Sequence, residues 1–347
     1  MIARTKPYLV ALEKGRTYWW CSCGRSKRQP YCDGSHQGTG FEPLRHVAAT
    51  DGEEVLFCGC KHTRTPPFCD GAHANLPGGY TLDDPDSAAN RAVPLVPDSP
   101  DGRTMLDGGC YVFSPSRAPL ERRGALAWST VISDVHGAKY QSQYYLRVDA
   151  GRESAPVGFG DRETILFVAS GQGTVRIAGR PLAVEATDGV YVRPGEAFTL
   201  EAGPSAPLEV FASACPFGPI GFPDGLGTFD ETTPERVVQV DRANRTAMGP
   251  RWFQLLVDKR IGSKVITQFI GHIPQSKASA HRHLYEEALI ILTGHGCMWT
   301  EGRRANVRAG DVIFLPRKQE HSLQSSAPEG MDVVGVIYPG DNPGINY

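Results

Sequence analysis

Asp188-Gly189-Val190-Tyr191-Val192-Arg193-Pro194 returns 122 positions later as Gly310-Asp311-Val312-Ile313-Phe314-Leu315-Pro316. Ahead of each copy stands another matching pair, Gly171-Gln172-Gly173 and Gly294-His295-Gly296, at nearly the same offset. A short apolar run bounded by glycine and proline reads as a strand between turns. Its repetition reads as two similar β domains in succession. Further runs of this kind lie at 143–148, 164–169, 174–177, 265–270 and 288–292. Gly (39) and Pro (27) are abundant and long amphipathic helical patterns are scarce, so the expected class is mainly β, barrel or sandwich.

The repeat sets the domain map: barrel one over 104–218, a loop-rich connection over 219–250, and barrel two over 251–347. Residues 76–103 are proline-rich, carry scattered acids and have no periodicity, so they read as a linker. Residues 1–75 form a separate module, marked by six of the nine cysteines. That module has its own repeat. Cys21-Ser22-Cys23, Ser26, Pro30 and Cys32-Asp33-Gly34-Ser35-His36 recur at identical offsets as Cys58-Gly59-Cys60, Thr63, Pro67 and Cys69-Asp70-Gly71-Ala72-His73. Three thiolates and an imidazole, with an Asp-Gly turn between the last two, suit either zinc or a [2Fe–2S] cluster. Spacing alone does not separate the two.

The stretch resembles the CDGSH iron–sulfur signature, which the first copy matches throughout and the second matches with Thr63 and Ala72 in place of serines. The resemblance implies two [2Fe–2S] clusters, one on Cys21, Cys23, Cys32 and His36, the other on Cys58, Cys60, Cys69 and His73. With three thiolates and one neutral imidazole an oxidised cluster carries a single net negative charge, between the four-cysteine and Rieske cases, so its potential should lie between theirs. Reduction then favours protonation of the histidine, coupling electron uptake to proton uptake. Single-copy members of the family pair two chains; two copies in one chain can pair with each other.

In barrel two, His281 and His283 are two apart on an expected strand and share a face, while Arg282 points away. Glu287 and His321 come from other strands. Three imidazoles and a carboxylate suit a divalent first-row metal with open positions. The pattern His-x-His-x3-Glu-x6-Gly, then Gly-x5-Pro-x4-His, resembles the cupin superfamily. It departs from that pattern at Gln275 and Lys318, where glycines are usual. Glu286 is an alternative to Glu287, though the spacing favours the latter. Gly158, Gly160, Thr164 and Thr199 stand at the equivalent positions of barrel one, which has therefore lost the site. His136, Cys110 and Cys215 read as structural, and Cys297 lies on a strand near the metal.

The expected activity follows from the fusion: a non-haem iron oxygenase or oxidase acting on a small molecule and O₂. Two one-electron clusters would feed Fe(II) and draw on an unidentified electron donor. Mn, Zn or Ni are alternative metals for a redox-independent isomerase, decarboxylase or hydrolase, and a non-enzymatic redox or iron sensor is a third reading. A net charge of −2 with 21% charged residues gives no case for nucleic acid or an anionic membrane. No apolar run approaches a membrane span, and the first ten residues hold Arg4, Lys6 and Pro7 rather than a signal, so a cytoplasmic protein is expected. The barrels could form a homo-oligomer.

Overall fold

The computed structural model describes residues 1–241, 243–340 and 342–347. The module at 1–75 is two antiparallel ribbons, Tyr8–Ala11 with Glu54–Phe57 and Thr17–Trp20 with Leu44–Val47. The two copies share one core of Leu12, Tyr18, Trp20, Ala48 and Phe57. Trp20 ties them further, its indole N–H donating to the Cys58 carbonyl at 3.0 Å. An apolar core this small is marginal alone.

Each barrel is a large sheet facing a smaller one. Side-chain alternation assigns every residue of the central strands to one of two cores. On Glu163–Ser170, Leu166 and Val168 fill barrel one while Ile165 and Phe167 face the other barrel. On Glu286–Ile291, Leu289 and Ile291 face the interior of barrel two while Ala288 and Ile290 join the core between the barrels. The two large sheets therefore pack back to back.

The structure corrects three boundaries. Residues 76–103 are not a free spacer. Leu82–Asp83 adds an edge strand to the smaller sheet of barrel two, the Lys277 ammonium meets the Asp83 carboxylate at 2.6 Å, and Val96 N–H donates to Arg304 O at 2.8 Å. A two-residue strand is too short to show periodicity, so sequence gives no sign of it. Tyr111–Phe113, expected in barrel one, instead extends the large sheet of barrel two by pairing with Val312–Leu315, and Arg103–Met105 pairs in turn with Tyr111–Phe113 at the sheet edge. In the connection, Val237–Val238 pairs with Gly189 and Val190 of barrel one. Its neighbour Arg236 is buried in a two-pronged ion pair with Glu196.

Candidate metal centres and the contact between them

Each cysteine pair begins where a strand ends, Cys21 after Thr17–Trp20 and Cys58 after Glu54–Phe57. Backbone bridges from Trp20 to Tyr31 and from Phe57 to Phe68 fold the loops back, returning the third cysteine and the histidine to the pair. In the first copy the Cys21 and Cys23 sulfurs are 3.7 Å apart and Cys32 Sγ is 3.2 Å from His36 Nδ1. In the second copy the corresponding distances are 3.5 and 3.4 Å. Backbone N–H groups donate to four of the sulfurs: Arg25 to Cys23, Gly34 to Cys32, Lys61 to Cys58 and His62 to Cys60. Such donors favour thiolate. The Cys58 thiol is drawn down to about 6 by its hydrogen bond with Cys60, aided by the N–H groups of Thr63 and Lys61. No disulfide joins the described cysteines.

The two copies differ in surroundings. His36 is partly exposed, its Nε2 3.5 Å from the exposed Glu42 carboxylate. His73 is buried and hydrogen-bonds the Asn346 side chain.

In barrel two the side chains of His281, His283, Glu287 and His321 line one cavity of about 90 Å³. His281 and His321 lie on paired segments with rings 4.5 Å apart, and the His283 ring is 4.8 Å from that of His321. Each imidazole faces a carbonyl through Nδ1: His281 with Ser279 O at 3.0 Å, His283 with Tyr285 O at 2.9 Å, His321 with Gln319 O at 2.9 Å. A neutral ring that donates through Nδ1 keeps the Nε2 lone pair free, which is the tautomer a metal requires. Burial pushes His281 down to about 3 and His321 well below its ordinary value, so both are neutral at physiological pH. His283 Nε2 is buried without a hydrogen-bond partner, 3.1 Å from a Glu287 oxygen. No group of three or more His, Cys, Asp or Glu side chains among the described residues is already arranged to hold a metal ion. The fit to a metal rests on the donor types, their tautomers and this orphaned nitrogen.

Glu286 and Glu287 point in opposite directions. Glu287 lines the cavity, whereas Glu286 points to barrel one and accepts backbone N–H groups of Lys139, Tyr140 and Gln141 at 3.0–3.3 Å. Cys297 does not face the cavity; its neighbour Met298 does. In barrel one, Gly158 abuts Ala197, Thr199 donates to the Glu153 carboxylate at 2.8 Å, and the interior is filled by apolar side chains.

Sequence reasoning missed the segment that joins the two centres. Residues 342–347 lie between the second Cys/His set and the segment 281–283, which the sequence suggests as a strand but which is irregular apart from an isolated bridge of His281 to His321. On one side Ile345 packs with Cys69 and Leu56, and Asn342 donates to Asp70 O at 2.8 Å. On the other, Tyr347 and Arg282 exchange backbone hydrogen bonds at 2.9 Å, placing the segment alongside the residue between His281 and His283. Asn346, the partner of His73, lines the same cavity as the three histidines. Tyr285 stacks on His283 at 3.9 Å and donates to Pro343 O at 2.8 Å. No spacing rule reveals such a contact, which joins sequence positions nearly the whole chain apart.

Comparison with known proteins agrees with this division. The model of the iron-binding zinc finger of CDGSH type matches residues 5–37, and that of the cupin domain matches residues 272–337. Over 50 residues the chain is 54% identical to CDGSH iron-sulfur domain-containing protein 3, mitochondrial, of Homo sapiens and 52% identical to the Mus musculus protein of that name. These alignments take in 14% of this chain and 39% and 36% of those proteins, so well under half of the relatives' length is spanned. Among solved structures, protein Ylba from E. coli superposes with a TM-score of 0.53 at 14% identity, covering 74% of this chain and 98% of its own. Salicylate 1,2-dioxygenase from Pseudoaminobacter salicylatoxidans gives 0.52 at 12%, covering 66% and 81%. Lactobacillus farciminis oxalate decarboxylase gives 0.52 at 14%, covering 66% and 86%. At such identities the likeness is one of fold.

Proposed function

We propose that this chain, a CDGSH iron–sulfur domain joined to a cupin double barrel, is a metal-dependent oxygenase or oxidase of a small molecule, with His281, His283, Glu287 and His321 as ligands of Fe(II) and the two Cys/His sets as holders of [2Fe–2S] clusters. The carrying observation is the packing of residues 342–347 between the second Cys/His set and the histidine-bearing segment 281–283. When bound, iron supplies an O₂-binding Lewis-acidic centre and the clusters supply electrons singly.

The chain's own residues prepare that chemistry. Ser279, Tyr285 and Gln319 carbonyls hold the imidazoles in one tautomer. Tyr285 fixes the His283 ring plane. Phe253, Phe269, Leu289 and Leu323 line the cavity and exclude bulk water. The first set, partly exposed at His36, is where an external electron donor would dock; the second set reaches the cavity through Asn346, the partner of His73.

Because the module packs on barrel two, the test uses point variants in the full chain. Reduced protein is mixed with O₂ and candidate small molecules while cluster absorbance is followed by stopped flow. Substrate should speed cluster reoxidation in the parent and not in His283→Ala. The Cys58→Ser/Cys60→Ser variant should lose multiple turnover. Turnover at the parent rate in that variant, or under strict anaerobiosis, would replace electron delivery by Lewis-acid chemistry.

A further inference from the structure

Arg251, on the strand Arg251–Leu255, is 8% exposed and lines both the histidine cavity and the adjoining one that holds Lys6, Tyr80, Thr81 and Ser279. Its Nη2 donates to Leu323 O at 2.8 Å, and its Nε is buried without a partner. The Tyr80 ring lies 5.8 Å from the guanidinium. The Tyr80 hydroxyl is likewise buried without a partner. No carboxylate among the described residues pairs with Arg251. The contrast with Arg236 is direct: that arginine, fully buried in barrel one, is held by both oxygens of Glu196 at 2.6 and 2.9 Å. An unpaired charge buried to this degree costs several kcal/mol, so a fold that neutralises one buried arginine and leaves another open beside a cavity has a use for the second.

We infer that Arg251 anchors the carboxylate group of a small substrate in the barrel-two cavity, with the Tyr80 hydroxyl as a second donor. A guanidinium presents paired N–H groups that match the two oxygens of a carboxylate. Of the residues lining the two cavities, Glu287 is the one acid, and it sits against His283. Lys6 adds a second cation at the adjoining cavity. The remaining lining around Met248, Phe253, Phe269 and Leu289 is apolar and suits the hydrocarbon part. The inference deepens the oxygenase reading by naming its substrate class, and it uses the same cavity.

The test measures binding without turnover, so its failure is separable from failure of the oxygenase reading. The full-length, metal-loaded protein is titrated calorimetrically with acetate and, as neutral isostere, acetamide. The parent should bind acetate and discriminate against acetamide. Arg251→Gln should weaken acetate by roughly 30-fold or more, Tyr80→Phe by a smaller factor, and surface Arg260→Gln not at all. Equal binding of acetate and acetamide by the parent overturns the proposal without any variant. Acetate binding that survives Arg251→Gln unchanged overturns it too, since the anion would then be held by the metal alone. Charge-selective binding lost in Arg251→Gln, with no O₂-dependent turnover, would leave the anion site standing and remove the oxygenase.

Discussion

Glu163 and Glu286 occupy equivalent places in the two barrels and each braces the other. Glu163, one residue before Thr164, accepts the Ser263 hydroxyl and the N–H groups of Lys264 and Val265 from barrel two at 2.9–3.2 Å. Glu286, one residue before Glu287, accepts three consecutive N–H groups from barrel one. Glu286→Ala orphans buried donors and should destabilise the protein by about 3 kcal/mol or more, with barrel metal content unchanged. Glu287→Ala should empty the metal site at much smaller cost in stability. Denaturant unfolding and metal analysis on the adjacent pair separate the roles. Metal loss from Glu286→Ala in still-folded protein would reverse the assignment.

The Glu196–Arg236 pair sets a pH dependence. Burial pushes the Glu196 carboxyl up, but Arg236 and the N–H groups of Asp230 and Arg193 outweigh it and hold the group below its ordinary value. A depressed carboxylate contributes stability above its unfolded pKa, about 4.3, and that stability is lost as pH falls through the lower folded value. Arg236→Met leaves Glu196 buried without its counter-charge, at a cost of about 3–5 kcal/mol. The sign should then invert locally, with part of the loss recovered on acidification. Unfolding curves of parent and variant between neutral and acid pH decide this.

If both Cys/His sets carry clusters, native protein is reddish with about four irons and four acid-labile sulfides in the module. Cys23→Ala and Cys60→Ala should each halve that content. Replacing His36 or His73 by Cys should lower the potential of one cluster, because an added thiolate raises the negative charge. A colourless zinc protein without labile sulfide would rule the clusters out.

Thr164→Ala and Thr199→Ala in barrel one should leave mononuclear metal content at the parent level. His281→Ala and His321→Ala should abolish it while sparing iron and sulfide in the module. Atomic analysis of the four purified variants checks the placement.

Lys277 is buried and meets the half-exposed Asp83. Lys277→Met should lower stability by about 1 kcal/mol and open residues 84–102 to proteolysis. Limited digestion with cleavage sites mapped by mass spectrometry gives the answer.

The sequence carried the elements that obey local rules. Repeated glycine–proline punctuation marks the two barrels, whereas His281 and His283, expected on a strand, lie outside any strand and still line one cavity. Partner choice across long separations was not legible, because nothing within the short strand Tyr111–Phe113 specifies the large sheet of barrel two. Arg251 has the composition of any strand arginine; only its burial and missing partner mark it. Lys318, standing where a glycine is usual, keeps a positive φ of 66° and reaches the Glu54 carboxylate of the N-terminal module, a compensation visible only in three dimensions.

The pairing of Tyr111–Phe113 with Val312–Leu315 also sets an order of assembly. During synthesis the earlier strand emerges some two hundred residues before its mate. The strands at Leu126–Ile132, Ser142–Val148, Glu163–Ser170 and Leu208–Cys215, which share the large sheet of the first barrel, are all made within that interval. The first barrel can thus pair its strands while Tyr111–Phe113 still lacks its mate in the wall of the second barrel. Non-local pairing of this kind slows folding and leaves an edge open to wrong partners. Separating the halves by a cut between 219 and 250 would divide one barrel from part of its own wall, so the two halves are bound together by chain order as well as by surface.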